Sequence, residues 1–558
     1  MQSILASESG GALAAATAVL NSYSAPQPDN SAMSAYDVSS INKSVYSIEQ
    51  DAKRAKNSVA ESNKSEPAED PVECFLKEFA MSLSEMENLV ASLKKNIDDL
   101  VKQRGADGVP IHWSYVPILP VGRVAGKCLS LDFGCNDNFF QVAVCNIRQS
   151  ETSRDTTEFR PVDRRAFVLT PSLRRAPMSV YCDFTAICVR QVLQENGLQA
   201  QADPIYMGIV AGFDARLKPQ ISPAEARVGK TFKDYKMENF INCDFVASFQ
   251  KSMDKHGLKV KIVTVLNDAV CTLLYGVHSV YSRRISTSDC SISVVTTRSG
   301  ANVSFLETDQ DFLDSCTTDR RLLLRSPRNG GFCVVVNPEA GMRCGEKGEL
   351  SNFLNNIEKN VLEEAKPGDS MRWECLSSGC WYPQLLRNSI KTMRKLEVVG
   401  AGFPDLLSSA NCFEVFYVCD RYATVKEPSK DQLAKELQAF LDPLERYQIQ
   451  PKEAEKLAQV CQAIVKRSAT MLASCIMAVA QRVYGKLLPE RMVVAYCGAM
   501  FQIGQLLPSL QETLDEFASP INSIYPFKVE LMPADTAFGC AVSAITIGKT
   551  LAMNEHRG

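Results

Sequence analysis

The pattern of apolar and polar positions along the chain changes near residue 72. Residues 1–72 are rich in Ser, Ala, Asn and Lys and contain few large apolar side chains. Such a segment buries too little surface to offset the entropy lost on ordering. We therefore predict a disordered tail over 1–72, of a kind that suits a protein partner or phosphorylation.

Helical spacing follows directly after this tail. Apolar side chains recur three or four positions apart at Phe75, Phe79, Leu83, Met86, Leu89, Leu93 and Ile97, and Gly105 ends the pattern. This period predicts an amphipathic helix. A Pro-rich connector, VPIHWSYVPILPVGR, separates the helix from the next apolar run.

Short apolar runs that end in polar or Gly-containing turns predict strands through the middle of the chain. These runs lie at 126–147 (a strand–turn–strand), 205–213, 260–268, 290–295 and 332–337. The C-terminal third has helical spacing, clearest at 454–483, and one further apolar run, MVVAYCG. Strands that alternate with helices indicate an α/β protein.

The composition is that of a globular protein large enough for two lobes. The chain has 558 residues, of which 45% are apolar and 22% charged, and a net charge of −3. That length exceeds one hydrophobic core, and the charge balance gives no basic surface for nucleic acid. We expect no apolar run of the length needed to cross a bilayer. A signal peptide has a basic N-terminal flank, but no basic residue precedes Lys43 in this sequence. We expect a cytoplasmic or nuclear protein.

Cysteine and histidine spacing argues against a metal site. The 20 cysteines include no CxxC pair, and the four histidines lie far apart. We expect free thiols that behave as small buried apolar groups in a reducing compartment.

Eight stretches, in the same order along the chain, resemble motifs of eukaryotic hexokinases. LPVGRVAGKCLSLDFG (119–134) resembles the family's LPTGKE-x-GD-x-LALDLGG. The others are MGIVAGF (207–213), KDY (233–235), VLNDAVCTLL (265–274), SGANVSFLE (299–307), VVNPEAG (335–341), PGDSMRWECLSSG (367–379) and the helical stretch at 460–482. The chain is similar to a divergent, fungal-type hexokinase-like protein.

The resemblance implies a fold of two actin-like (RNase H-like) α/β lobes that close over a central cleft. In this sequence it places a helix and connector of the large lobe at 73–125 and the small lobe at 126–264. The large lobe follows at 265–530, and the segment 531–558 returns to the small lobe.

The sugar-binding residues are also implied by the resemblance. Asp268 matches the general base that takes the proton from the attacking 6-hydroxyl, a role that typically contributes ~10²–10⁴-fold. Amide, amine and carboxylate groups that hydrogen-bond the other hydroxyls match Lys233, Asn267, Asn302, Glu339 and Glu374. Considered singly, Asn267-Asp268 fits a helix N-cap equally well, and each glutamate fits an exposed charge. Their joint occurrence favours an intact hexose pocket.

Two departures leave the sugar preference open. The family's Thr before the Lys is Phe232, and its FSFP turn has Gly212 and Asp214. Each lost hydroxyl contact costs about 1 kcal/mol.

The nucleotide-binding turns are more strongly altered. Phosphoryl transfer needs Gly-rich turns whose N–H groups face the phosphates, together with a metal ion. The family's DLGGTNFRV reads DFGCNDNFFQV, GTGSN reads RSGAN, VDGTLY reads AYCGAMF and SEDGSGKG reads PADTAFGC. The cofactor positions that remain are Asp132, Gly134, Ser299, Gly300, Gly498 and Asp535. We therefore predict impaired binding of ATP with Mg²⁺, although Arg298 offers a new charge to a phosphate.

Three functions compete. The first is a hexose-binding protein, weakly active or inactive, that regulates carbon metabolism through lobe closure and a protein partner. The second is an active ATP-dependent hexose 6-phosphotransferase of glycolysis, with ATP and Mg²⁺ as cofactors. The third, a scaffold without ligand, is disfavoured because six sugar positions remain. A turn rebuilt around a nucleotide at Cys135 and 136–138 would favour the second.

Overall fold

The computed structural model describes most of the chain after residue 69. The described ranges are 70–102, 112–114, 125–133, 139–149, 157–201, 203–212, 215–217, 226–228, 237–238, 240, 243–281, 288–316, 324–326, 330–345, 348–365, 371–404, 409–425, 428–440, 447–485, 488–522 and 526–555. The chain divides into two compact units, 1–75 and 76–558. In the first unit only residues 70–75 are described, so the tail predicted over 1–72 lies almost wholly outside them.

The predicted N-terminal helix is two helices, α1 (Pro71–Lys77) and α2 (Leu83–Lys102). A capping box begins the second helix without interrupting the apolar pattern. The Ser82 Oγ accepts the Glu85 N–H at 3.3 Å, and the Glu85 Oε2 accepts the Ser82 N–H at 2.8 Å. Such a pair satisfies donors at a new helix start, which periodicity alone does not reveal.

The first sheet contains five strands of the described chain. Their bounds are β2 (Gly126–Asp132), β3 (Phe139–Gln149), β4 (Thr157–Val168), β5 (Ile205–Ala211) and β8 (Val260–Asn267). Their order across the sheet is β4-β3-β2-β5-β8. β4, β3 and β2 pair antiparallel, whereas β2, β5 and β8 pair parallel. β8 stays paired to Asn267, three residues beyond the boundary predicted for the small lobe.

The second sheet repeats this plan. The bounds of its described strands are β1 (His112–Ser114), β9 (Ser288–Thr296), β10 (Ala301–Glu307), β11 (Leu324–Arg325), β12 (Phe332–Asn337), β13 (Arg491–Cys497) and β14 (Lys528–Pro533). β12, β10 and β9 pair antiparallel, and β9, β13 and β14 pair parallel. β1 and β11 both pair with β12. A small separate ribbon joins β6 (Ala215–Leu217) and β7 (Ala226–Val228).

The remaining helices of the described chain lie between or after the strands along the sequence and pack on the sheets or on other helices. They are α3 (Met178–Glu195), α4 (Phe245–Lys255), α5 (Asp268–Tyr281), α6 (Gln310–Cys316), α7 (Ala340–Arg343), α8 (Asn356–Ala365), α9 (Arg372–Ser377), α10 (Tyr382–Lys395), α11 (Ser409–Thr424), α12 (Lys430–Gln438), α13 (Pro451–Tyr484), α14 (Leu506–Asn522) and α15 (Thr536–Glu555). The predicted α/β fold class is confirmed by these mixed sheets and helices.

The C-terminal helix α15 packs against the first sheet. It contacts β2, β3, β5 and β8, and its residues Phe538, Ala541 and Ile545 form an apolar cluster with Cys128 and Ala143. Helix α5 packs against α15 and against β9 and β13 of the second sheet. The boundaries predicted for the lobes stay predictions.

Two helices of the described chain are long and apolar enough to resemble membrane spans. By length and composition, windows of α13 and α15 qualify as membrane spans, but 89% and 67% of these windows are buried in the protein. Burial of this kind is ordinary for a core helix, since a helix that is apolar all round needs neighbours on every side. By length and composition alone, the expectation that no apolar run has bilayer length was wrong.

Candidate functional site

The polar residues singled out from the sequence lie where strands of both sheets end. Asp132 ends β2 and Asn267 ends β8, while Cys497 ends β13 and Asp535 follows β14. Ligands of open α/β sheets bind beyond the carboxyl ends of the strands. The fold therefore gives these residues positions suited to ligand binding.

The thiol of Cys497 shows that acidic residues from both sheets lie close together. Burial first, and then the charges of Asp132, Asp535 and Asp268, raise the pKa of this thiol to about 12. The predicted general base thus lies in the same region as two predicted cofactor residues. At neutral pH the thiol is uncharged, so it does not replace the carboxylate that the family has at this position.

Asp268 begins α5 directly after β8 and is only 9% exposed. The N–H of Ala269 donates to Asp268 Oδ1 at 2.8 Å and to Asn267 Oδ1 at 2.9 Å. The N-cap interpretation of this pair is therefore correct for its hydrogen bonding. It does not exclude a role in binding, because a helix N-terminus also stabilises Asp268 as a carboxylate anion.

Asn302, Asn337 and Glu339 form one hydrogen-bonded network between β10 and the end of β12. The Asn302 Nδ2 donates to Asn337 Oδ1 at 2.8 Å and to Glu339 Oε2 at 3.4 Å. The Asn337 Nδ2 donates to Glu339 Oε1 at 2.7 Å. Asn337, only 2% exposed, thus fixes two predicted sugar residues.

The backbone is strained at the two segments that carry the predicted sugar glutamates. Glu339 has φ 51°, and Met371, the residue before α9, has φ 67°. A left-handed conformation at a residue other than glycine costs about 1–3 kcal/mol and is concentrated at functional sites. The third such residue in the described chain, Glu397, lies elsewhere.

Glu374 is buried, with 6% exposure, in the short helix α9. The neighbouring Trp373 donates from Nε1 to the Met471 carbonyl of α13 at 3.3 Å, which anchors α9. A Cβ at Gly341 would lie 2.6 Å from Glu374 Oε2, and one at Gly300 would lie 3.2 Å from it. Gly300, predicted from the cofactor motif, therefore also makes room for a sugar residue.

The turn between β9 and β10 is held by hydrogen bonds among its own residues. The Thr297 Oγ1 accepts the N–H groups of Ser299 at 3.2 Å and Gly300 at 3.1 Å. The Thr297 N–H donates to the Gly300 carbonyl at 2.7 Å. Backbone donors that a phosphate would need are thus bound to a side chain of the same turn.

Arg298 in this turn is placed against an aromatic ring. Its guanidinium lies 4.7 Å from the ring centroid of Phe413, within cation–π range. The expectation that Arg298 offers its charge to a phosphate stays a prediction.

Two carboxylates of the predicted cofactor site are held by the protein itself. Asp132 is 1% exposed, and its Oδ2 accepts the Thr536 hydroxyl at 2.7 Å. Asp535 forms an ion pair with Arg164 of β4 and accepts the Phe538 N–H at 3.2 Å. Asp535 thereby caps the start of α15.

Gly498 has a structural reason to be glycine. Its φ is 123°, and a Cβ would lie 2.0 Å from the Thr296 carbonyl oxygen. The ends of β13 and β9 approach too closely for any side chain. Retention of this glycine is therefore not by itself a sign of phosphate binding.

Two predicted site residues, Lys233 and Gly134, lie outside the described residues. The same holds for Cys135 and 136–138, so the turn that separates the competing functions is not described.

Four residues that the structure brings to the site were not predicted from the sequence. Asn337 and Thr536 stand within quoted motifs, VVNPEAG and PADTAFGC, and Thr297 lies beside a third, so their positions carried a signal. Arg164 had none, because 371 residues separate it from Asp535.

The described residues give no sign of a protein-bound metal cluster. No group of three or more His, Cys, Asp or Glu side chains in them is arranged to hold an ion. The cysteines in the described ranges are free thiols.

Comparison with known proteins identifies the family. Two family models, both described as hexokinase, match residues 71–278 and 299–546. The hexokinase of Schistosoma mansoni is 22% identical over 415 residues, or 73% of this chain and 83% of that protein. Hexokinase-7 of Oryza sativa subsp. japonica is 21% identical over 455 residues, or 80% and 91%.

Solved structures show the same fold. The structure of hexokinase from Schistosoma mansoni complexed with glucose has a TM-score of 0.67 and 18% identity, and covers 85% of this chain and 98% of that one. A second hexokinase crystal structure has a TM-score of 0.65 at 18% identity, over 86% and 98%. The fold is thus the two-lobe hexokinase fold with mixed α/β sheets.

The chain belongs to the hexokinase family. Membership supports a hexose-binding sugar kinase and implies ATP with Mg²⁺ for an active member. The predicted likeness to a divergent, fungal-type protein stays a prediction.

The site residues fall into two groups, which we call the sugar cluster and the nucleotide wall. The sugar cluster is Asn267, Asp268, Asn302, Asn337, Glu339 and Glu374. The nucleotide wall is Asp132, residues 297–300, 497–498 and 535–536. In the described conformation both carboxylates of the nucleotide wall and two of its N–H donors hold partners within the protein.

Proposed function

We propose that this protein binds a hexose and transfers phosphate slowly or not at all. In this proposal it acts in the cytosol or nucleus as a regulator that reports hexose to a protein partner through lobe closure. The observation that carries the proposal is the contrast between the two groups of residues. In the sugar cluster, Asn302 and Glu339 share a hydrogen-bonded network with Asn337. In the nucleotide wall, both carboxylates and two N–H groups are bonded to other groups of the protein.

The sugar cluster has the chemistry that hexose recognition needs. Carboxylates accept hydroxyl protons, and amides both donate and accept. The weakest bond of Asn302, at 3.4 Å to Glu339, is the one that a sugar hydroxyl exchanges at least cost. Glu339 and Glu374 then accept hydrogen bonds from sugar hydroxyls. Trp373 anchors the helix that carries Glu374.

Asp268 keeps a place suited to a general base, beside the N-terminus of α5. Proton removal from a hydroxyl yields no product unless a phosphoryl group is aligned with it. In the proposed function Asp268 therefore serves to bind a sugar hydroxyl.

Hexose binding is tested by thermal denaturation of the full chain with glucose, mannose, fructose or N-acetylglucosamine. A ligand at about 100 times its Kd stabilises the folded state by about 2.7 kcal/mol, so at least one of these sugars should raise the melting temperature. Glu339→Gln removes one carboxylate of the sugar cluster and should abolish most of this rise.

Glu397→Gln is the matched control, because Glu397 also has a positive φ, 56°, but lies outside the sugar cluster. It should keep the full response. No response to any of the four sugars in the unmodified protein would contradict the proposal.

The rival function is an active ATP-dependent hexose 6-phosphotransferase, which family membership supports equally. It requires the bonds of Thr536 and Arg164 to break when MgATP binds.

A further inference from the structure

The start of α15 is tied to two strands of the first sheet. Strand register places Ser130, Ala143 and Arg164 side by side across β2, β3 and β4. Cross-strand neighbours point to one face, and alternate residues of a strand share that face. Arg164 and Asp132 therefore project from the face that α15 covers.

Both side chains meet the first residues of α15 or its cap. The Arg164 guanidinium pairs with Asp535 Oδ2, and the Thr536 hydroxyl donates to Asp132 Oδ2 at 2.7 Å. The neighbouring residues Asp535 and Thr536 thus connect the start of α15 to the first sheet. Asp535 does so by an ion pair with Arg164, and Thr536 by a hydrogen bond to Asp132.

Arg164 carries its positive charge close to acidic groups of the nucleotide wall. Burial by itself lowers the pKa of the guanidinium, but Asp535, Cys145 and Asp132 raise it on balance. Two carboxylates that face one positive group are the arrangement that a divalent metal would otherwise compensate. Here a side chain supplies the positive charge.

We propose that Arg164 is a built-in cation that, with the Thr536 hydroxyl, closes the nucleotide wall to a divalent metal. This inference rests on the proposed function and names the two contacts that make MgATP binding unfavourable. A metal that enters must displace the guanidinium from Asp535 and the hydroxyl from Asp132.

The test uses the full chain with Arg164→Gln and Thr536→Gly combined, and Mn²⁺ alone as the probe, followed by electron paramagnetic resonance. Glycine is the family's residue at 536, and Gln keeps much of the Arg stem. The double variant should bind Mn²⁺ at least about tenfold more tightly than the unmodified protein, which is about 1.4 kcal/mol.

Arg164→Gln alone preserves the Thr536–Asp132 bond and disturbs the fold less. It should gain part of the affinity. Two further controls should gain none: Thr536→Ser, which keeps the hydroxyl, and Arg165→Gln, whose partners are Asp163 and Glu195.

The inference is overturned if the unmodified protein already binds Mn²⁺ as tightly as the variants. It is equally overturned if neither the single nor the double variant gains affinity. The rise in melting temperature with any of the four sugars, measured on the same samples, tests the sugar cluster separately. Its absence beside a gain in Mn²⁺ binding would contradict the proposed function and leave this inference standing.

Discussion

At the scale of single residues, the two groups differ in what their polar atoms hold. Asn302 and Glu339 bind each other only at 3.4 Å, a bond that a hydroxyl readily replaces. Asp132 is 1% exposed and accepts a hydroxyl at 2.7 Å. Exchange of the Thr536–Asp132 bond costs more than exchange of the Asn302–Glu339 bond, because it is shorter and its acceptor is almost fully buried.

Asn337 provides a prediction about a residue that has no predicted contact with sugar. Asn337→Ala removes the donor to Glu339 and the acceptor for Asn302, so both lose their fixed positions. We expect a loss of about 1–3 kcal/mol of stability and a reduced melting-temperature response to glucose.

The matched control is Asn388→Ala. Asn388 is also buried, with 4% exposure, and donates to Glu364 and to the Gln384 carbonyl, outside the sugar cluster. Comparable destabilisation with an undiminished glucose response is expected. Equal glucose responses in the two variants would show that Asn337 only supports the fold.

At the scale of elements, the start of α15 connects the C-terminal motif with both sheets. Gly539 lies one turn into this helix, and a Cβ there would sit 1.9 Å from the Cys271 carbonyl oxygen of α5. From its sequence alone, the PADTAFGC stretch was grouped with phosphate binding. The structure explains Gly539 by helix packing, since only glycine permits so close a crossing.

Gly539→Ala should therefore destabilise the protein by about 3 kcal/mol through overpacking. Chemical denaturation measures the loss. Met553→Ala in the same helix, at a position with 60% exposure, should change stability little. A glycine variant as stable as the unmodified protein would contradict the close crossing.

Periodicity predicted several elements well and others poorly, for physical reasons. The runs at 260–268 and 332–337 match β8 and β12, because buried parallel or central strands are continuously apolar. The window at 454–483 matches α13. The break between α1 and α2 was missed because Ser82 and Glu85 act through hydrogen bonds that leave the apolar spacing intact.

The candidate site was predictable where its residues lie within motifs that resemble those of the family. Asn302 and Glu339 each lie in a recognisable stretch, and the structure brings them together. Arg164 could not be predicted, because its meaning comes from an ion pair with Asp535 that only the folded sheet creates.

At the scale of the whole molecule, buried thiols make the folded state sensitive to alkaline pH. Burial raises the pKa of Cys333 to about 12, and burial with nearby carboxylates raises that of Cys497 to about 12. In the unfolded chain a thiol ionises near pH ~8.5. Between these values the unfolded state binds fewer protons, so stability falls as pH rises.

We expect full stability below about pH 8.5 and a loss of up to about 1.4 kcal/mol per pH unit for each such thiol up to about pH 12. Urea denaturation at about pH 8 and about pH 10 measures it. Cys497→Ser should lose less stability over this interval than the unmodified protein. A free energy of unfolding that stays constant over the interval would contradict the burial of these thiols.

The proposed function depends on a sugar cluster that binds hexose beside a nucleotide wall that is closed to MgATP. Both properties are tested together by ADP release from MgATP in the presence of the sugar that raises the melting temperature. We predict turnover well below about 1 s⁻¹, the lower end of typical enzyme values. Turnover of about 10 s⁻¹ or more would show that the Thr536 and Arg164 contacts open for the nucleotide, and would make the protein a working hexose kinase.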